Sequence, residues 1–147
     1  MNPTIIQRDK LIIAGLMGDG NQTALLWENF EKKSNVLKIK SRINENSYEV
    51  RLYYNDKCDC FVGVAVSNIE DNNVVEGFCL PASEYAVFDV VVANGYDSEN
   101  KTMDDWLKNN PDKYIERKLD GKSYVVECYN EKFKSGIIEI WVPIHKG

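Results

Sequence analysis

The hydrophobic pattern of this chain switches between a period of two and a period near 3.6, and the order of the switches occurs twice. Residues 4–16 are β-rich, with Ile5, Ile6, Leu11, Ile12 and Ile13. A glycine-bearing turn over 15–21 follows. Residues 22–33 then place Leu25, Leu26, Trp27 and Phe30 at helical spacing. Two strands are expected next, over 47–54 and 61–67, joined through a turn at 55–60 whose Asn55-Asp56 pair suits it. The second half opens on a valine-rich strand over 84–93, which Asn94-Gly95 breaks. Thr102 is a good N-cap, with Asp104 and Asp105 in the first turn of a short helix that carries Trp106 and Leu107. Pro111 bounds that helix. Strands over 124–130 and 137–144 complete the set, with Ser135-Gly136 in the loop between them.

Each half therefore reads β-α-β-β, over about 4–70 and 77–145, with a polar connector at 71–77. The expected fold class is α+β: two duplicated units about a pseudo-two-fold axis, forming an antiparallel sheet with a central ligand cleft. A three-stranded unit cannot bury both of its faces alone. Joining the two puts the helices on one side, and the other side is expected to curve into the cleft. The whole chain, 1–147, is read as one domain.

Composition narrows the classes of function. A chain of 147 residues buries about 68–70% of the surface its unfolded form exposes, enough for a core without disulfide or metal staples. A net charge of -5 disfavours non-specific contact with nucleic acid. The densest cations, Lys32, Lys33, Lys38, Lys40 and Arg42, are interrupted by apolar residues and read as a solvated helix end and strand. Residues 1–10 lack the pattern of a signal peptide. Apolar stretches such as 87–93 contain Asp89 and fall far short of the roughly 20 residues that span a bilayer. A cytoplasmic location is expected by default, with neither membrane nor nucleic acid as a direct partner. Cys58 and Cys60 lie too close for the usual zinc spacing, and His145 is the only histidine. The four cysteines are expected to be small buried hydrophobes in a reducing compartment. No phosphate loop and no nucleophile elbow is present, so no cofactor, metal or catalytic residue is assigned.

Glu127 carries the most information. Alternation puts Val125, Glu127 and Tyr129 on one face of their strand and Tyr124, Val126 and Cys128 on the other. Both faces are largely apolar, so the strand reads as central. Its glutamate is then either a rim residue or a carboxylate set in a cavity. A buried ionised carboxylate costs several kcal/mol unless something pairs with it. A cationic ligand is one such partner. Tyr48, Tyr53, Tyr54, Tyr85, Tyr124 and Tyr129 all fall in strands. Aromatic faces attract cations by roughly 0.5–2 kcal/mol each, yet strands favour aromatics for packing alone. Glu139 reads as the solvent-facing partner of a lysine, and Asp89 as an edge-strand charge. Trp27 and Trp106 read as core; Trp141 stays open between cleft and packing beneath a helix.

Seven segments, in order, resemble the gyrase-inhibitor-like, or effector-binding, domain of multidrug-responsive transcription activators. They are 12–16 (IIAGL), 26–30 (LWENF), 61–64 (FVGV), 80–88 (LPASEYAVF), Trp106-Leu107, Glu127-Cys128-Tyr129 and 139–144 (EIWVPI). The fourth, sixth and seventh in this order form the specific part. The resemblance implies a duplicated β-α-β-β fold with a central cleft, and a ligand faced by Glu127. Two departures stand out. Glu49 occupies a position where the family usually has glycine, and 107–114 lacks the common Pro-x-Ser-Gly. The chain holds no helix-turn-helix, so any transcriptional role is expected to run through a partner.

The expected function is therefore the sensing or sequestering of a small molecule, a lipophilic cation or aromatic compound. The expected ligand-binding residues are Glu127, Tyr129, Tyr85, Trp141, and Tyr53 or Tyr54. Two other readings use the same resemblance. One is a hydrolase of electrophilic toxic natural products, with Glu127 directing a water and a cleft tyrosine acting as acid. The other is an inhibitor of a protein partner such as DNA gyrase.

Overall fold

The computed structural model describes residues 2–72 and 75–147, without the side chains of 34–37. The first half forms β1 (Thr4–Arg8), β2 (Leu11–Asp19), α1 (Thr23–Leu37), β3 (Arg42–Tyr54) and β4 (Lys57–Val66). The second half forms β5 (Glu76–Leu80), β6 (Ser83–Val91), α2 (Tyr96–Asn109), β7 (Tyr114–Glu116), β8 (Ser123–Tyr129) and β9 (Ile137–Lys146). Local chemistry accounts for the main breaks. Asn55 and Asp56 both adopt positive φ, 45° and 61°, which matches a two-residue hairpin turn to the twist of β3 and β4. Gly95, at φ 84°, lets β6 turn into α2. That helix starts at Tyr96, six residues before the expected cap. Thr102 sits inside it, its hydroxyl donating to the Ser98 carbonyl at 3.1 Å.

All strands pair antiparallel in one nine-stranded sheet of order β1-β6-β9-β8-β3-β4-β2-β5, with β7 on β9. The two halves meet where β3 pairs β8. Their outer strands are exchanged. β1 precedes β2 in the chain but pairs β6, while β5 precedes β6 but pairs β2. The residues between β1 and β2 span at most about 11 Å of extended chain. Six strand spacings in a flat sheet would separate them by about 29 Å. The sheet therefore curls until its two edges approach each other.

The curl encloses the main core. Tyr85, Tyr124, Phe61, Val50, Val126 and Trp141 all lie in one cluster on the helix-free face, against Ile6 of β1 and Phe78 of β5. The expected position of the cleft is corrected here: the helix-free side is filled by side chains. The helices cover separate parts of the opposite face. Phe30 of α1 packs with Ala14, Val62 and Val64, and Met103 of α2 packs with Phe88, Ile138 and Ile140. Trp106 joins the second cluster, edge-on to Phe88 at 5.7 Å, as its spacing suggests. Gly15 and Gly63 oppose each other between β2 and β4, where a Cβ on Gly63 would overlap the Ala14 carbonyl oxygen. Among the described residues, no helix is long and apolar enough to cross a membrane.

Two smaller expectations change as well. Cys60 and Cys128 are buried thiols, but Cys79 is exposed and Cys58 only half-buried. Asp89 is not on an edge, because β1 covers β6. It opposes Glu139 across the β6–β9 pair, and Lys132 bridges the two carboxylates at 3.1 and 3.2 Å.

Candidate functional site

Between the helices, over the β3–β8 junction, the sheet leaves a cavity of about 710 Å³. Its floor comes from alternate residues of those two strands: Glu49, Arg51 and Tyr53 from β3, Val125, Glu127 and Tyr129 from β8. Thr23, Ala24 and Trp27 of α1 form one wall, and Tyr96, Asn100, Met103 and Leu107 of α2 the other. Ile140 and Val142 extend the floor under α2.

Glu49 and Glu127 are register partners at the centre of the junction. They are 4% and 8% exposed, so water does little to solvate either one. Each receives a hydrogen bond from the residue two places further along its own strand. Arg51 Nη1 donates to Glu49 Oε2 at 3.1 Å, and the Tyr129 hydroxyl donates to Glu127 Oε1 at 3.0 Å. Glu49 also accepts from Trp27 Nε1 at 2.8 Å. The Arg51 guanidinium is held on every side. It donates to Thr23 Oγ1 at 3.1 Å, to the Gly20 carbonyl at 3.0 Å and to the Tyr53 hydroxyl at 3.1 Å.

Burial pushes the Glu127 carboxyl up to about 8. The neighbouring Glu49 carboxylate contributes to that rise, and Tyr129 and Arg51 oppose it. Tyr129 is held well above the ordinary phenol range by burial and then by the Glu127 and Glu49 charges, so its hydroxyl remains a donor. At neutral pH Glu127 is therefore mostly protonated. The folded protein binds this proton more tightly than the unfolded chain, whose glutamate titrates near 4.3. The stability from the protonated group is complete below the unfolded pKa and is lost as pH rises through about 8. Glu127→Gln removes this dependence. Melting temperatures of the two proteins should separate between about pH 5 and 8 in favour of the variant, by an amount worth a few kcal/mol. Parallel curves over that range would contradict the proton assignment.

Of the expected site residues, Glu127, Tyr129 and Tyr53 line this cavity. Tyr54 does not. It points away, its hydroxyl donating to Asp59 at 2.8 Å with the Lys122 ammonium 4.3 Å from its ring. Tyr85 and Trp141 are corrected in position, because both belong to the core on the opposite face of the sheet. The Tyr85 hydroxyl meets that of Tyr124 at 3.3 Å, and Trp141 packs on Tyr48 and Tyr85 under the Arg8 guanidinium. Trp27 packs against the α1 core cluster as expected, edge-on to Phe30, and also forms part of the cavity wall. Glu49, Arg51 and Tyr96 were not expected there. Glu49 did carry a signal: a second carboxylate in an apolar strand, at a position where glycine was anticipated.

A family model for Cass2, the integron-associated effector binding protein, matches residues 4–144. The chain belongs to this family. It is accordingly an effector-binding domain of the gyrase-inhibitor-like fold. Solved structures agree in fold across the whole length. SAV2435 bound to tetraphenylphosphonium superposes with a TM-score of 0.72 at 17% identity, covering 99% of this chain and 94% of that one. The C-terminal domain of EcmrR gives a TM-score of 0.62 at 12% identity, covering 98% and 97%. An integron cassette protein from the mobile metagenome of Vibrio cholerae gives 0.59 at 8% identity, covering 99% and 97%. No curated protein matches.

Proposed function

We propose that the cavity binds a lipophilic monocation, with Glu127 as its counter-ion. One observation carries the reading. Glu127 is 8% exposed, faces a cavity of about 710 Å³, and has no cation dedicated to it among the described residues. Arg51, the cation on the cavity wall, is committed to Glu49 and to three neighbouring oxygens. An apolar cation entering the cavity takes the place of the Glu127 proton and meets the rings of Trp27, Tyr53, Tyr96 and Tyr129. Cation–ring contacts of this kind are worth about 0.5–2 kcal/mol each, more where water is excluded. A volume of this order falls within the range of small-molecule sites. The tetraphenylphosphonium bound to SAV2435, which shares the fold, supports the same class of ligand for this chain.

Titration calorimetry with tetraphenylphosphonium and its anionic isostere tetraphenylborate tests the reading. Saturable binding of the cation with one ligand per chain, and weaker or absent binding of the anion, is the expected result. Equal binding of both ions would assign affinity to shape alone and remove the counter-ion role of Glu127.

A further inference from the structure

We infer that Arg51 sets the charge number of the ligand: by neutralising Glu49 it leaves the junction one free carboxylate, and so fits the cavity to a monocation rather than a dication. The inference rests on the cation reading above and extends it to the valence of the ligand. Glu49 and Glu127 oppose each other at the β3–β8 junction, and the residue two places after each one, Arg51 or Tyr129, closes a hydrogen bond onto it. The two half-sites thus share geometry and differ in charge. Arg51 brings a full positive charge to Glu49, whereas Tyr129 brings a neutral hydroxyl to Glu127.

The Arg51 guanidinium has five N–H donors in a planar fork. Glu49, Thr23, Gly20 and Tyr53 take one bond each. Anchored in this way, the cation cannot swing out to make room for a ligand charge at Glu49. The Glu49 oxygens are also occupied, one by Arg51 and the other by Trp27 Nε1. A second ligand cation would have to displace a half-buried guanidinium, held by four hydrogen bonds, from a carboxylate that is 4% exposed. Two further carboxylates, Asp104 and Glu116, line the cavity away from the junction. Asp104 is exposed, so solvent screens it, and both are common to every variant compared below.

Methylphenylpyridinium and methyl viologen test the inference, because they are matched biaryl cations that differ by one charge. The ratio of their dissociation constants is read by calorimetry in wild type, Arg51→Met and Arg51→Lys. Wild type should favour the monocation. Arg51→Met, which frees Glu49, should move the ratio toward the dication by about tenfold or more, the effect of one added charge at an effective dielectric near 20. Arg51→Lys keeps the charge and should restore the wild-type ratio. An Arg51→Met protein that is folded by circular dichroism and keeps the wild-type ratio would overturn the inference.

Arg51 also ties β3 to the start of α1, so a second variant guards against misfolding. Glu49→Gln leaves Arg51 in place without its partner charge. Tetraphenylphosphonium should then bind about tenfold more weakly relative to tetraphenylborate than in wild type. An unchanged cation-to-anion ratio would also overturn the inference. If wild type binds none of these cations, the cation reading itself falls and this inference falls with it. If wild type binds them and the ratios do not move, only the role of Arg51 is lost.

Discussion

Glu127→Gln should weaken tetraphenylphosphonium binding about 25-fold at pH 7 and a few hundredfold at pH 9. The two numbers follow from opposing terms. A bulky cation brought to about 5 Å from the carboxylate gains roughly 3.3 kcal/mol at an effective dielectric near 20, or about 250-fold in affinity. At pH 7 most molecules must first release the Glu127 proton, which titrates at about 8. That release lowers wild-type affinity about tenfold and disappears above the pKa. Glutamine preserves the side-chain shape and an acceptor for the Tyr129 hydroxyl, but it holds neither charge nor proton. Wild-type affinity should therefore rise between pH 6 and 9 and then level off, while the variant stays flat. Calorimetry across this range in buffers of different ionisation enthalpy also reads the proton released. A wild-type profile as flat as that of the variant would mean that no carboxylate is charged by binding, and the counter-ion assignment would fail.

The second large effect separates the two faces of the sheet. Trp141→Ala should cost about 3–5 kcal/mol of stability, in the range found when buried aromatic residues are truncated. Trp141 is 3% exposed, lies against Tyr48 and Tyr85 with centroids at 5.8 and 5.6 Å, and carries the Arg8 guanidinium 4.0 Å above its ring. Its indole nitrogen donates to Glu139 at 3.0 Å. Truncation opens a cavity and strips the packing from Arg8, whose Nε is already buried without a partner. Tyr85→Phe is the gentle companion. It deletes the hydroxyl shared with Tyr124, at a cost of about 0.5–1.5 kcal/mol. Urea unfolding measures both losses. Tetraphenylphosphonium affinity, measured where each variant remains folded, should not change. A clear loss of affinity in folded Tyr85→Phe would return that ring to the ligand.

Alternation along strands explains what the residues revealed and what they did not. It correctly grouped Val125, Glu127 and Tyr129 on one face and Tyr124, Val126 and Cys128 on the other, because a strand's period is two. It could not say which group faces the cavity, since both faces of β8 are apolar and both are covered. Tyr85 and Trp141 were drawn to the wrong side for that reason: aromatic character marks burial, and the larger buried volume here is the core inside the curl. Trp27 shows the converse, since its helical spacing matched a core position while its Nε1 reaches the carboxylate of Glu49. The duplicated order of elements was legible from turn residues and periodicity. The exchange of β1 and β5 was not, because pairing partners distant in the chain leave no local mark. Glu49 was visible as an irregularity. Its meaning came only from the register that sets it against Glu127.

The exchanged edge strands also bear on how a ligand gets in. With β1 completing the edge of β6 and β5 completing the edge of β2, the two halves are interlocked like clasped hands. They cannot part along the β3–β8 seam without also breaking the clasp. A hinge that parts the duplicated units would therefore break the β1–β6 or β2–β5 pairing as well as the seam. The helices have no ladder bonds to either half. The flanking α1 and α2 are then the elements whose displacement would widen the way to the cavity, like shutters over a sill. Substitutions that stiffen their packing should slow association and dissociation together while leaving the equilibrium affinity in place.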